Sequence, residues 1–529
     1  ALRQSVRNEA KALAETSRIP SWQDAAVREL AQESLSPLAV FACGSTRLDD
    51  IATTKLNADQ QTLIEASNAL SERLAGRSPA YSQQTLGTTM QSVEATYTAL
   101  MSAKKPLVIC GTGAGAALMR CAANIARALS VSRSEVCDLV LLPKEDNSVG
   151  HALLTSKENT LSRALGRLAN GEVKRAIVIE NDLFERAPTA LVKNALAAAE
   201  LLVIDQIETP TQRYAALSIP SATFNECEVT KVNYEGRAQL SFQVGEGCDA
   251  AKPIERWLNV EGSAHSNSMI ARCAAEASDF ESLSDCLPDP LGRIAGLKVP
   301  RQSHRYSGRT AMHADRNVHE GKQPVDDNSV MSFSMEGMLT QKDSSVLATA
   351  WAPRWNSNQA ISKFQAEING ELKQGHPGVH LIKRSLNGQA YEAENSVNKN
   401  LGDFEIRLVS HIFGSDTLSS HSPAIQKRLC DAYLALNKED ALELGLANGD
   451  LVSLGGAEDS IILPLIVRTQ TPAGVALVYP GSSALGASIN PHDVPESASL
   501  ARVESEPSVH PTGLGLSNLV VNDAYSGAH

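Results

Sequence analysis

Residues 106–129 read Pro106-Leu-Val-Ile-Cys110, Gly111-Thr-Gly-Ala-Gly115, then Ala116 through Leu129. A short apolar, β-branched run is the pattern of a buried strand. Glycines at 111, 113 and 115 permit a tight turn and close backbone approach. Behind them Leu118, Cys121, Ala122, Ile125 and Leu129 recur at helical spacing, with Arg120, Asn124 and Arg127 opposite. The stretch therefore predicts strand, glycine loop and helix, one half of a βαβ unit. Such a loop can seat a phosphate on the helix N-terminus. It can equally serve only to fold a helix back onto a sheet. The spacing is G-x-G-x-G, not the G-x-G-x-x-G of dinucleotide-binding turns, so both readings stand.

The alternation extends in both directions. Upstream, residues 1 to about 36 read as helices broken at Ile19-Pro20, with a second start at Ser21, and Pro37 to Cys43 reads as a strand. Asn57-Ala-Asp-Gln60 has the form of a capping box. Leu63, Ala66, Leu70 and Leu74 then share one face, and Gly76 stops the helix. Met90, Val93, Tyr97 and Leu100 mark another helix, ended by Lys104-Lys105-Pro106. Downstream, strands at 139–142, 176–179 and 201–204 alternate with helices at 161–168 and 189–199. This order predicts a parallel sheet with helices on its faces. Ligands in such sheets lie beyond the strand C-termini, here Gly111 to Gly115, Asn181-Asp182 and Asp205 to Glu208. From about 404 the pattern changes to short strands: 405–413, 433–436, 451–454, 461–467 and 474–478. One short helix lies among them at 438–444, and Asn448-Gly449 is a turn. That is the pattern of a small β-barrel.

The 529 residues suffice for two to four domains, and 43% hydrophobic with 20% charged residues is a globular balance. A net charge of −12 argues against nucleic acid as a partner. No apolar run reaches the length of a membrane span, and the charged, helix-like opening is no secretory leader. The nine cysteines include no C-x-x-C pair, so no zinc ribbon or iron–sulfur ligand run is visible. Cys110 and Cys121, in apolar patterns, read as reduced thiols. His376 and His380 have the spacing of a helical ligand pair, but Pro377 and Gly378 between them exclude the helix. His313 and His319 read as surface residues. No G-x-S-x-G elbow and no P-loop is present. Residues 298–400 are loop-rich yet carry Arg301, Arg305, Arg309, Arg316, Trp351 and Trp355, residue types favoured at interfaces. They predict a contact surface between domains or subunits.

Several blocks then act as a set. Phe224 to Gln239, containing Asn233-Tyr-Glu-Gly-Arg-Ala-Gln239, resembles the segment near the cofactor in the molybdopterin oxidoreductase family. His304-Arg-Tyr-Ser-Gly-Arg-Thr-Ala-Met312, Phe333-Ser-Met-Glu-Gly337, Trp351-Ala-Pro-Arg-Trp-Asn-Ser357 and His411-Ile-Phe-Gly-Ser-Asp416 resemble one branch more narrowly. That branch is the large iron–sulfur subunit of bacterial NADH–quinone oxidoreductase, respiratory complex I. The resemblance runs in order from near residue 1 to about residue 490.

It implies a molybdopterin-oxidoreductase-like scaffold: parallel-sheet α/β domains with a C-terminal double-psi β-barrel. The expected layout is an α/β region at 1–245, a helical and loop-rich connection at 246–403, the barrel at 404–505 and a flexible tail at 506–529. In that branch electrons pass along iron–sulfur clusters from NADH toward quinone. The 2Fe-2S and 4Fe-4S ligands lie in an N-terminal cysteine-rich region that this sequence does not match, so the chain resembles the C-terminal part of the subunit. No cofactor, metal or catalytic residue is expected in this segment. Gly111, Gly113, Gly115, Glu226, Asn233, Glu235 and Arg237 are candidates for a vestigial pocket. Val229 stands where cofactor-binding relatives tend to have Gly. The implied partners are the other hydrophilic subunits of complex I on the cytoplasmic side of the inner membrane, with no direct membrane insertion. Two alternatives remain: a working molybdopterin-dependent oxidoreductase, with Glu226, Asn233, Glu235 and Arg237 near a guanine dinucleotide, and a nicotinamide-binding enzyme using Gly111 to Gly115.

Overall fold

A computed structural model describes residues 2–20, 23–79, 87–156, 158–241, 250–258, 266–286, 378–382, 389–392, 402–455, 460–483, 487–504 and 506–509, with a few isolated positions between 243 and 355. The chain forms two compact units from non-contiguous stretches. One comprises Ala1–Ser36, Pro143–Leu154 and Ala222–Lys383; the other Pro37–Leu142, Thr155–Ser221 and Arg384–His529.

The second unit opens with two parallel strands, β1 (Ala39–Ala42) and β2 (Thr54–Asn57). Helix α1 (Gln60–Leu74) follows, capped by Asp59, whose carboxylate accepts from the Thr62 N–H at 3.0 Å. The expected cap at Asn57 is therefore corrected. Asn57 is held in the ladder opposite Ala42, and Gln60 is the first helical residue rather than the third. Leu63, Ala66, Leu70 and Leu74 are buried as their spacing required, and Gly76 follows the helix at φ +74°. Helix α2 (Thr88–Ser102) contributes Val93 to the same core.

Strand β3 (Leu107–Gly111) and strand β4 (Asp138–Leu142) pair in parallel, joined by α3 (Ala116–Arg133). Cys121, Ala122, Ile125 and Leu129 are buried. Asn124, expected on the solvent side, is buried too: its side-chain amide donates to the Tyr391 carbonyl at 3.0 Å, and its oxygen accepts from the Tyr391 N–H at 2.9 Å. An amide can be buried on a helix when both its polar atoms find a backbone partner, and a remote segment supplies them.

A second α/β lobe contains α4 (Leu161–Ala169), β5 (Arg175–Ile179), α5 (Thr189–Ala197), β6 (Glu200–Asp205) and β7 (Leu217–Pro220). The three strands are parallel in the order β5-β6-β7. Leu165, Leu168, Val178, Val192, Leu196, Leu201 and Val203 form its core. Each fully buried Leu or Val contributes about 1.5–3 kcal/mol through removal from water.

The barrel uses β8 (Phe404–Leu408), β9 (Tyr433–Leu436), α6 (Lys438–Glu443), β10 (Leu451–Leu454), β11 (Ile461–Val467), β12 (Val475–Tyr479), β13 (Ser497–Ala498) and β14 (Leu500–Arg502). The sheet order is β13-β8-β12-β9-β11-β10-β14. Its two edge strands are separated in sequence by Ser499 alone, so the sheet nearly closes. Parallel pairs β8/β12 and β9/β11 flank the antiparallel pair β9/β12. The first strand ends at Leu408, short of the expected Phe413.

The other unit holds helices Asn8–Thr16, Asp24–Ala31, Ser148–Leu154 and Ser266–Glu276, and the hairpin Val229–Val232/Arg237–Ser241. Ser21 lies outside the described residues. Val379–His380 adds a third strand beside Arg237 and Ala238. Its glycine is obligatory: Gly378 has φ +82°, and a Cβ there would stand 2.2 Å from the Ala238 oxygen. Arg301, Arg305, Arg309, Arg316, Trp351, His313, His319 and His376 lie outside the described residues. Of Trp355 only the backbone is described, paired with Ala311.

Candidate functional site

Gly111 ends β3 at φ −79°, and Thr112–Ala114 make a single 3-10 turn whose Thr112 hydroxyl donates to the Leu142 carbonyl at 3.2 Å. Only Gly115 has a left-handed backbone, at φ +89°. The open side of Gly115 is occupied by Gln60. Its Nε2 donates to the Ala114 carbonyl at 3.2 Å and stands 3.2 Å from where a Gly115 Cβ would be. The Gln60 backbone N–H donates to both Glu405 oxygens at 3.1 Å, and Arg407 Nε contacts the same carboxylate at 2.5 Å. Glu405 is 2% exposed. Its charge is balanced by Arg407 and by the positive N-terminal end of α1. The glycine loop, α1 and barrel strand β8 are thus joined through one glutamine. Nearby Cys43 is pushed up to about 11, by burial first and by Glu405 second, and stays a thiol. Burial also raises Cys110, and raises Cys121 to about 11.

The polar candidates lie in the other unit, on and before the hairpin. Asn233 Oδ1 accepts from the Glu235 and Arg237 N–H groups at 2.9 and 3.1 Å, tying the turn, and Gly236 supplies its positive φ of +72°. Arg237 pairs with Glu235 at 3.4 Å and contacts His380. Glu226 accepts from the Thr223 N–H at 2.8 Å, and that bond holds its carboxyl below the usual range. Val229 opens the first hairpin strand. So Asn233, Glu235 and Arg237 are brought together, with their polar groups engaged locally. Glu226 forms a separate turn.

The other strand ends are likewise occupied. Asp182 accepts from the Thr211 hydroxyl at 2.6 Å and from the Phe184 N–H at 3.2 Å. Asp205 accepts from the Gln206 and Ile207 N–H groups at 2.7 and 3.3 Å, while burial raises its pKa. Among the described residues no three His, Cys, Asp or Glu side chains stand together as a metal site requires.

Sequence reading missed a second link between lobe and barrel. Glu185 accepts from the Thr417 hydroxyl at 3.2 Å and the Ser483 hydroxyl at 3.1 Å. Asn490 donates to the Ala187 carbonyl, and Asp493 accepts from the Thr189 N–H at 2.8 Å, capping α5 from the barrel side. These partners lie 232 to 304 residues apart, and no local pattern signals them.

The molybdopterin oxidoreductase family model matches residues 61–254. Across the longer span, the chain is 35% identical over 502 residues to the G subunit of NADH-quinone oxidoreductase from Pseudomonas fluorescens, covering 91% of this chain and 55% of that protein. It is 35% identical over 497 residues to the G subunit from Escherichia coli K12, covering 90% and 54%. The chain is similar to these G subunits over nine-tenths of its own length and carries a molybdopterin oxidoreductase domain. It spans about half the length of the curated relatives it matches. The glycine loop and the hairpin both fall within the segment that carries the molybdopterin oxidoreductase match.

Proposed function

We propose that this chain is a scaffolding part of the large peripheral-arm subunit of NADH:quinone oxidoreductase. It would support electron transfer from NADH through iron–sulfur clusters to quinone, coupled to proton translocation. The observation that carries this reading is the 35% identity to the G subunit of that enzyme, sustained over nine-tenths of the chain. The clusters would belong to the remainder of the complete subunit. The partners would be the other hydrophilic subunits on the cytoplasmic side of the inner membrane. Among the described residues no helix is long and apolar enough to cross a membrane.

The seven candidate residues fall in two units, the three glycines in one and Glu226, Asn233, Glu235 and Arg237 in the other. A pterin nucleotide bound through Gly115 would meet Gln60, and Asn233, Glu235 and Arg237 already hold one another or their own backbone. The residues present do not fit that group, and no chemistry is assigned through it. Assembly tests the proposal. A tagged chain, expressed as part of its complete protein, should co-purify with an NADH-oxidising, quinone-reducing complex. Isolation as a lone protein with its own substrate-dependent redox activity would overturn it.

A further inference from the structure

The barrel carries a cluster that scaffolding does not require. Aromatic residues make up 4% of the chain and tyrosines number nine, yet Tyr433 and Tyr479 lie together in the barrel wall. Tyr433 is fully buried and Tyr479 is 2% exposed. Their ring centroids are 5.7 Å apart at a 35° tilt. His411, from the His411-Ile-Phe-Gly-Ser-Asp416 block, joins both. Its Nε2 lies 3.0 Å from the Tyr433 hydroxyl, and its ring meets the Tyr479 ring edge-on at 4.5 Å. The Arg468 guanidinium sits over the Tyr433 ring at 5.4 Å. The close approach is built in: Gly414 has φ +96°, and a Cβ there would stand 2.7 Å from the Tyr479 hydroxyl.

A buried phenol hydrogen-bonded to a neutral imidazole can lose an electron and a proton together. The proton needs a base already in place, because an unaccompanied phenol cation is costly in a low-dielectric core. We propose that Tyr433 and His411 form a proton-coupled hole trap. A strong one-electron oxidant takes one electron from the Tyr433 phenol, and the phenol proton moves to His411 Nε2. The products are a neutral tyrosyl radical, an imidazolium and the reduced oxidant.

The hole settles on Tyr433 because only that phenol has an imidazole as hydrogen-bond partner. The Tyr479 hydroxyl neighbours Cys430, which burial keeps as a thiol at a pKa of about 11, so it has no comparable base. His411 is neutral at physiological pH, its pKa lowered to about 4 by burial and then by Arg468 and Arg47. Burial and those cations make it a weak base, but an oxidised phenol is a far stronger acid than imidazolium, so the transfer remains downhill.

Flash oxidation of the full chain with a photogenerated ruthenium(III) polypyridyl, followed by freeze-quench electron paramagnetic resonance, tests this. The parent should give one dominant tyrosyl signal. Tyr433→Phe should lose most of it while melting as a folded protein. His411→Gln should lower the yield and alter the hydrogen-bond-sensitive g component of what remains. If Tyr433→Phe fails to fold, a small nitroso spin trap with mass-spectrometric mapping on the parent supplies the answer. Adducts on Tyr433 support the trap. A signal unchanged in both variants, or adducts confined to the exposed Tyr214, Tyr234 and Tyr391, overturns it.

Discussion

The glycine-loop strands and the barrel strands belong to the same compact unit, yet they are buried very differently. No residue of β3 or β4 is fully buried, and Leu107 and Leu142 at their ends are exposed. Every residue of β9 and β12 is buried, and Tyr433, Leu434, Ala435 and Leu436 are inaccessible to solvent. The stretch most conspicuous as a motif is thus not where the unit is best packed. Glycines draw the eye because they mark backbone constraints. Stability comes from aliphatic runs that carry no motif.

The largest expected effect breaks this comparison at the barrel. Leu434→Ala should cost about 2–5 kcal/mol, the usual range for emptying a close-packed leucine site. Ile109→Ala, in the half-buried β3, should cost less than the lower end of that range. Denaturant midpoints of the two variants compare them directly, and equal losses would erase the contrast.

Next comes the junction between the two regions. Glu405→Ala removes the acceptor of the Gln60 N–H and leaves Arg407 without that carboxylate. A loss on the order of 1–3 kcal/mol is expected, the cost of leaving buried polar partners unsatisfied. Hydrogen exchange at the start of α1 should rise in that variant. Unchanged protection at Gln60 would show that the carboxylate is not holding the helix end.

Smaller still is the loop itself. Gly115→Ala places a Cβ on a left-handed backbone at φ +89° and should cost about 1–2 kcal/mol. Gly113→Ala has open space and no positive φ, so it should be near neutral or slightly stabilising, within about 1 kcal/mol. The left-handed position is Gly115 and not Gly113, because the intervening 3-10 turn uses ordinary dihedrals. Equal melting temperatures for the two variants would remove the distinction.

The last expected effect is a pH slope. His411 has a folded-state pKa of about 4 against an ordinary 6.5, so the unfolded chain binds the proton more readily. Its contribution to stability is complete above pH 6.5 and declines as pH falls toward 4. His411→Gln should flatten the loss of stability across that window. A parental slope in the variant would assign the loss to other groups.

Much of the fold was legible. The strands at 139–142, 176–179 and 433–436 and the helices from Leu161 and Thr189 follow from periodicity and turn residues. Strands β2 and β7 were not read from the sequence: Thr-Lys-Leu-Asn is mostly polar, and Leu-Ser-Ile-Pro ends on a proline after only three alternating residues. Asn124 looked solvent-facing because helical spacing cannot foresee a partner 267 residues away. The same holds for Glu405 with Gln60, 345 residues apart, and for Glu185 with Ser483. A linear reading of the candidate site named its glycines and hairpin polar groups. It did not see that Gln60 fills the space beside Gly115, since nothing local to either residue records the contact.

The most direct test of the scaffolding account is the metal and pterin content of the complete protein, purified from its own cells grown with molybdate and tungstate. The account predicts iron and acid-labile sulfide, with neither molybdenum nor tungsten in stoichiometric amount and no pterin released on acid denaturation. Stoichiometric molybdenum or tungsten with releasable pterin would contradict it.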